Sequence, residues 1–277
     1  MTRPLSAGEK VLLLDRKSRR YLVTLAEGGQ FHTHAGWVPH DDLIGQEEGV
    51  TARSTTGAWF QVVRPTLADF VVKMRREAQV IYPKDLGSIL MLADVFPGAR
   101  VLEAGVGSGA LSMALLRAGA QVVGYELRPD FAELAAANVA SFLGPDALAR
   151  YRVERRDVYE GIDETGLDRV VLDLPEPWRA VKFAEAALHP GGILVAYLPS
   201  IVQVSQLRDA LDASAFAMAE TLEVLVRTWH VEGQAVRPDH RMVAHTGFLT
   251  AARLLVPSPG GEAISRRANG GGGQGPS

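Results

Sequence analysis

Three glycines at alternate positions, Gly105, Gly107 and Gly109, stand between a short apolar run containing Val101 and Leu102 and an amphipathic run from Leu111 to Leu116. That order predicts a strand, a tight turn and a helix. Glycine is required where the backbone turns sharply and where a ligand lies directly against it, because a Cβ would obstruct both. The helix that follows presents free N–H groups to a carboxylate or a phosphate. The motif points to a nucleotide-like cofactor without saying which one.

From residue 100 onward, strand and helix patterns alternate. Strands are expected at 100–104, 121–126, 151–155, 169–174 and 192–198, and helices at 109–118, 130–142, 178–188 and 201–212. This rhythm predicts an α/β, doubly wound and mostly parallel sheet. Residues 216–230 and 247–256 read as two closing strands, consistent with an antiparallel pair, joined by a long loop. The first 64 residues differ: short β-type runs such as Val11–Leu14 and Arg20–Leu25 are separated by glycine turns, which predicts a small β-barrel-like domain. Pro65 marks the join. Thr66 is placed to cap a helix through about Glu77, and a second helix is expected from Leu86 to Phe96. The domain division is therefore 1–64, 65–257 and a disordered Pro/Gly/Ser/Arg-rich tail over 258–277.

Composition closes off several classes. The chain has 277 residues, no cysteine and a net charge of −3, so disulfides, thiolate nucleophiles and Cys-ligated zinc are excluded. The seven histidines form no His-Glu-x-x-His pattern, and no metal site is expected. No apolar run reaches the roughly 18–20 residues of a membrane span, and Met-Thr-Arg-Pro-Leu-Ser lacks a signal-peptide core, so a cytoplasmic location is expected. Two basic clusters, Arg16-Lys17-Ser-Arg19-Arg20 and Lys73-Met-Arg75-Arg76, are either a solvated hairpin and helix face or phosphate contacts.

Three acids fall at the ends of predicted strands, where ligands bind in open α/β sheets. Glu126 ends the second strand, where a carboxylate can accept both hydroxyls of a ribose. Asp157 follows the third, within reach of an adenine amino group. Asp173 lies in Asp173-Leu-Pro175-Glu-Pro177, at the end of an otherwise apolar strand. Gly105-x-Gly107-x-x-Ala110 also fits a relaxed nicotinamide-dinucleotide pattern. Against that reading stand Gly109, Glu103 two residues before the first glycine, and the Asp173 motif.

Together with the turn Leu188-His-Pro190-Gly191-Gly192, these features resemble the class I S-adenosylmethionine-dependent methyltransferases, with their Rossmann-like sheet. The resemblance narrows further. Gln79-Val-Ile-Tyr82-Pro-Lys-Asp85, Glu103-Ala-Gly105-Val-Gly107-Ser-Gly109, Asp173-Leu-Pro-Glu-Pro-Trp178 and Arg237-Pro-Asp-His-Arg241-Met-Val-Ala-His245-Thr-Gly-Phe-Leu249 are similar to the tRNA (adenine-58-N1)-methyltransferases of the TrmI family.

That resemblance implies S-adenosylmethionine as cofactor, tRNA as substrate and a homotetramer. Backbone around Val106, Gly107, Ser108 and Gly109, with Glu103 and Gly105, would hold the methionine part. Glu126 would take the ribose and Asp157 the adenine, with Phe131 either near the cofactor or simply a core residue. Gln79, Tyr82, Asp85 and Ser88 would form the opposite wall. Tyr82 and Tyr197 would flank the target adenine, although each is equally readable as a buried tyrosine. Asp173 would grip the exocyclic amino group, and Arg237, Arg241 and His245 would wall the substrate pocket. The departure from Asn/Asp-Pro-Pro-Tyr at Asp173-Leu-Pro-Glu-Pro favours methylation of a ring nitrogen over an amino group.

Overall fold

The structure, a computed structural model, describes residues 3–76 and 79–256. The expected disordered tail and the end of the helix expected to reach Glu77 lie outside the described residues.

The N-terminal part is built from β1 (Lys10–Leu14), β2 (Arg20–Thr24), β3 (Gln30–Thr33), β4 (Gly36–Pro39), β5 (Thr51–Arg53) and β6 (Trp59–Val63). The strands β2-β1-β6-β5 form an antiparallel sheet, and β3 and β4 pair as a separate hairpin. Alternation along β1 divides the work of its side chains. Val11 and Leu13 join Val38, Phe60 and Val62 in a local core. Leu12 points the other way and pairs in register with Leu22, which packs on the core of the larger domain. An ion pair between Arg20 Nη1 and Asp69 Oδ1 at 2.6 Å ties the two parts together.

The larger part begins with α1 (Leu67–Lys73) and α2 (Pro83–Leu92). It continues as β7 (Arg100–Ala104), α3 (Ala110–Arg117), β8 (Gln121–Tyr125), α4 (Pro129–Leu143), β9 (Tyr151–Glu154), β10 (Leu167–Asp173), α5 (Val181–Ala187), β11 (Leu188–Leu198), α6 (Ile201–Asp212) and β12 (Phe216–Glu223). A hairpin of β13 (Trp229–Glu232) and β14 (Ala235–Pro238) and then β15 (Phe248–Leu254) complete it. The main sheet has the order β12-β15-β11-β10-β7-β8-β9, with β15 antiparallel to both neighbours. Its strands are apolar on both faces, as a sheet covered on both sides requires. Val101, Val122, Val171 and Val195 face α1 to α4, while Leu102, Val123, Val170, Leu172 and Leu194 face α5 and α6. Strand order reverses between β7 and β10, and the crevice beyond their carboxyl ends is where such sheets bind ligands.

Several boundaries differ from expectation for identifiable reasons. Thr66 does cap α1, in a reciprocal capping box with Asp69. The helix stops at Lys73 because Met74 turns extended, and Asn138 Nδ2 donates to the Arg75 carbonyl at 3.2 Å. The second helix starts earlier than Leu86, since Pro83 suits the first helical position. It ends before Asp94, whose φ is +46° and whose carbonyl accepts from Arg169 Nη2. The helix expected over 178–188 is a 3-10 turn (Pro177–Ala180) followed by α5, and Leu188 already belongs to β11. Register jumps there from Leu167↔Leu188 to Arg169↔Ile193, so the Pro-Gly-Gly turn becomes a bulge within the strand rather than a lead-in to it. The strand expected over 216–230 ends at Glu223, and the β13–β14 hairpin, which begins at Trp229, occupies its last residues and part of the expected loop.

Gly105 is where β7 and β10 constrain each other. Its φ is +87°, and a Cβ there would lie 2.0 Å from the Asp173 carbonyl oxygen, whereas Gly107, at φ +53°, has no atom within 4 Å of that position. Gly105→Ala is therefore expected to destabilise the fold by roughly 3 kcal/mol or more, and Gly107→Ala only by the roughly 1 kcal/mol of its backbone strain. Urea unfolding of the two variants checks this; equal losses would refute the assignment of the clash.

Candidate active site

The glycine turn opens into α3 with Gly109 as a left-handed N-cap and no side-chain cap on the first turn, so those N–H groups are left for a ligand. Gly107 N–H is used differently: it donates to Glu126 Oε2 at 3.0 Å, while Glu126 Oε1 accepts from Arg128 N–H at 3.0 Å. The Glu126 carboxylate is thereby fixed against the turn. From behind, Asn138 on α4 donates to the Ser108 carbonyl at 2.9 Å. One pocket is lined by Gln79, Glu103, Gly105, Val106, Gly107, Ser108 and Asp173 together.

Glu103 is fully buried, and Ser112 Oγ donates to its Oε2 at 2.6 Å. Its other oxygen, Oε1, has no partner, and neither has the buried Ser108 Oγ in the same turn. Burial pushes the Glu103 carboxyl up to about 8, with the Asp173 and Glu126 charges adding to the shift. Desolvation likewise pushes Asp173 up to about 7. Two desolvated acids beside two unpartnered polar atoms suit a ligand that brings positive charge and hydrogen-bonding groups, since a cation would favour the ionised form that burial disfavours. Asp157 follows β9, its Oδ1 accepting from Tyr159 N–H at 2.8 Å. Phe131 is buried, with the Arg128 guanidinium 3.9 Å from its ring centroid.

The other side of the crevice is built from distant segments. Asp173 and Tyr197 are register partners on β10 and β11. The Tyr197 hydroxyl donates to the Thr246 carbonyl at 2.6 Å, and burial pushes its pKa up to about 12, with Asp85, Asp173 and Tyr82 close enough to contribute. Tyr82 is the N-cap residue of α2. Next to it, Lys84 and the fully buried Asp85 form an ion pair of 2.8 Å that Thr246 joins. Lys84, Thr246 and Asn138 were not singled out from the sequence. The first two stand inside motifs that carry the resemblance, without an assigned role, and Asn138 left a signal as a lone amide among the alanines and valine of α4.

Some expected site residues stand apart from the pocket. Ser88 Oγ donates back along α2 to the Lys84 carbonyl at 3.1 Å. Arg237 lies exposed on β14, opposite His230, and Arg241 is exposed in the segment that follows. His245 is exposed, its Nδ1 2.7 Å from Glu223 Oε1 and its Nε2 3.0 Å from the Pro199 carbonyl. Both of those partners are acceptors, which calls for both ring protons, and the Glu223 carboxylate raises the His245 pKa. Among the described residues no group of three or more His, Asp or Glu side chains could hold a metal, and no helix is long and apolar enough to cross a membrane.

Glu103 yields a stability prediction. Because its folded pKa is above the unfolded value of 4.5, the unfolded chain releases the proton first, and stability is lost as pH rises from about 4.5 to about 8. Glu103→Gln removes that loss. The variant should melt close to wild type at pH 4.5 and at least a few degrees above it at pH 8. A difference independent of pH would refute a neutral Glu103.

Comparisons with known proteins bear on the whole of this arrangement. The model for the GCD14 subunit of a tRNA methyltransferase complex matches residues 58–237, and a TrmI-like N-terminal model matches residues 4–51. The tRNA (adenine(58)-N(1))-methyltransferase TrmI of Thermus thermophilus is 42% identical over 246 residues, covering 88% of this chain and 96% of that protein. The tRNA (adenine(57)-N(1)/adenine(58)-N(1))-methyltransferase TrmI of Methanocaldococcus jannaschii is 36% identical over 274 residues, covering 90% and 95%. Among solved structures, a SAM-dependent O-methyltransferase from Thermotoga maritima superposes with a TM-score of 0.86 at 33% identity, covering 91% and 95%. The tRNA (m1A58) methyltransferase TrmI of Aquifex aeolicus does so with 0.80 at 28%, covering 92% and 100%.

Proposed function

The chain belongs to the family of TrmI-type tRNA methyltransferases, and we propose from that premise how its own residues methylate N1 of adenine 58 in the T-loop of tRNA. The reading is carried by one observation: Asp173, Glu103 and the glycine turn share a pocket whose buried acids and unpartnered polar atoms suit a sulfonium- and ammonium-bearing cofactor. S-adenosylmethionine, when bound, supplies a methyl group on a positively charged sulfur. The first turn of α3 would hold its carboxylate, Glu126 its ribose hydroxyls and Asp157 its adenine, with Gln79 closing the opposite wall.

Adenine N1 already carries a lone pair, so the protein has no strong base to provide. Its task is to hold N1 in line with the methyl group and to stabilise the charge that grows on the ring. The target base must first leave its stack, and Tyr82 and Tyr197 would receive it. Asp173 would accept a hydrogen bond from the exocyclic N6. Ionised, it offsets the developing positive charge and can afterwards take the N6 proton. Its placement beside Tyr197 on adjacent parallel strands puts an acceptor and an aromatic ring at the same depth of the crevice.

Contact with the tRNA backbone would fall to the exposed cations Arg237, on the β13–β14 hairpin, and Arg241, in the segment that follows it. The N-terminal basic cluster has less to offer than its sequence suggests, since Arg19 pairs with Asp15 and Arg20 with Asp69. A homotetramer and a cytoplasmic setting belong to the same proposal; sedimentation of the pure protein tests the first.

The decisive assay incubates the protein with labelled S-adenosylmethionine and unmodified tRNA and maps the modified nucleosides. N1-methyladenosine in the T-loop is expected, and a ribose 2′-O-methyl product or none would overturn the reading. Asp173→Ala should lower kcat about a hundredfold or more while cofactor binding survives within about tenfold. Since the ionised form is the active one, the wild-type single-turnover rate should fall on acidification through about pH 7, and this limb should be absent from Asp173→Ala. Arg237→Ala and Arg241→Ala should each weaken tRNA binding and reduce the slope of log K against log salt by roughly one. An unchanged slope would remove that arginine from the interface.

A further inference from the structure

The polar cluster at the start of α2 has no part in the chemistry above, yet it touches the supports of both tyrosines. Lys84 Nζ donates to Asp85 Oδ1 at 2.8 Å, to the Val224 carbonyl at 2.7 Å and to Thr246 Oγ1 at 2.6 Å. Thr246 Oγ1 in turn donates to Asp85 Oδ2 at 2.6 Å. All three ammonium protons and both carboxylate oxygens are thus engaged internally, which leaves none of these groups to act on a substrate.

Two walls of the crevice meet at Thr246. Its side chain holds α2 through Asp85, and α2 begins immediately after Tyr82. Its main-chain carbonyl accepts the Tyr197 hydroxyl at 2.6 Å. Gly247 next to it lies against that ring so closely that a Cβ would come within 2.5 Å of the Tyr197 Cζ atom. The bonded residues are 161 and 162 positions apart in sequence, so no local structure could hold them together. Well-packed apolar residues can match a buried ion pair in stability, whereas a closed set of directional hydrogen bonds also defines the relative placement of the groups it joins. The cluster therefore suits a demand for position more than one for stability.

We infer that Thr246, braced by Lys84 and Asp85, is a positioning residue that sets the separation of Tyr82 from Tyr197 and so the width of the slot that grips the flipped base. This rests on the proposed role of the two tyrosines. Thr246 touches neither base nor cofactor; it acts through Tyr197 on one side and through α2 on the other.

The test is the single-turnover rate of methylation at saturating tRNA and S-adenosylmethionine for Thr246→Val, Thr246→Ser and Tyr197→Phe, and for Thr246→Val combined with Tyr197→Phe. Thr246→Val keeps the shape and loses the hydroxyl, and a fall of about tenfold or more is expected, with the cofactor dissociation constant within about twofold of wild type. Thr246→Ser, which restores the hydroxyl, should recover the rate to within about threefold. On the Tyr197→Phe background, Thr246→Val should cost less than about threefold further, because the path it acts through is already cut. A wild-type rate in Thr246→Val, or an equal loss on both backgrounds, would overturn the inference. Should Thr246→Val not fold, Thr246→Ser against Thr246→Ala is read by the same criteria. A wild-type protein that forms no N1-methyladenosine would instead bring down the functional reading itself, which separates the two failures.

Discussion

The close approach of Gly105 to the Asp173 carbonyl is the contact on which the rest of the site depends. Two parallel strands end side by side there, one turning into the glycine loop and the other into Leu-Pro-Glu-Pro. Because no side chain separates them, Glu103 and Asp173 stand within electrostatic reach of one another. A Cβ at residue 105 would push the loop away from β10 and open the crevice from below. The reversal of strand order at this place supplies the crevice, and the glycine keeps it narrow.

Narrowness has an electrostatic consequence. Burial raises the pKa of both acids, so they keep their protons to a higher pH than solvated carboxylates would. Such a site favours a ligand that brings positive charge, since charge neutralises an acid that desolvation otherwise disfavours. The same logic explains why Glu126, which accepts from two backbone N–H groups, can stand at the rim as a fixed acceptor.

What was legible in the sequence follows from how local each feature is. The glycine turn, Glu126 and the alternating strands are set by short-range rules: a period of two, a required positive φ, an acid at a strand end. All are found where those rules put them. Boundaries failed where a long-range partner intervened. Asn138, 63 residues away, takes the Arg75 carbonyl and accompanies the end of α1. Arg169 captures the carbonyl of Asp94 at the end of α2. The bulge at the start of β11 depends on which strand lies beside it. Lys84 and Thr246 stand inside two of the motifs that carry the resemblance, but that they meet could not be read there, since a lysine and a threonine far apart in sequence announce no contact until a fold makes it. His245 was noticed, but its two acceptor partners, Glu223 and Pro199, could be seen only in three dimensions.

The two halves of the crevice therefore carry different kinds of information. The half proposed to hold the cofactor comes mainly from one stretch, residues 103–126, joined by Gln79 and Asp173 in the pocket. It can be carried intact by any chain that preserves a strand, a glycine turn and an acid. The substrate half is assembled from α2, the end of β11 and the segment entering β15, held together by side chains that do no chemistry. If the two tyrosines receive the base as proposed, the bonds that resist a change in their separation are those made by Thr246. On that proposal, specificity would reside in the strut as much as in the residues that would touch the base.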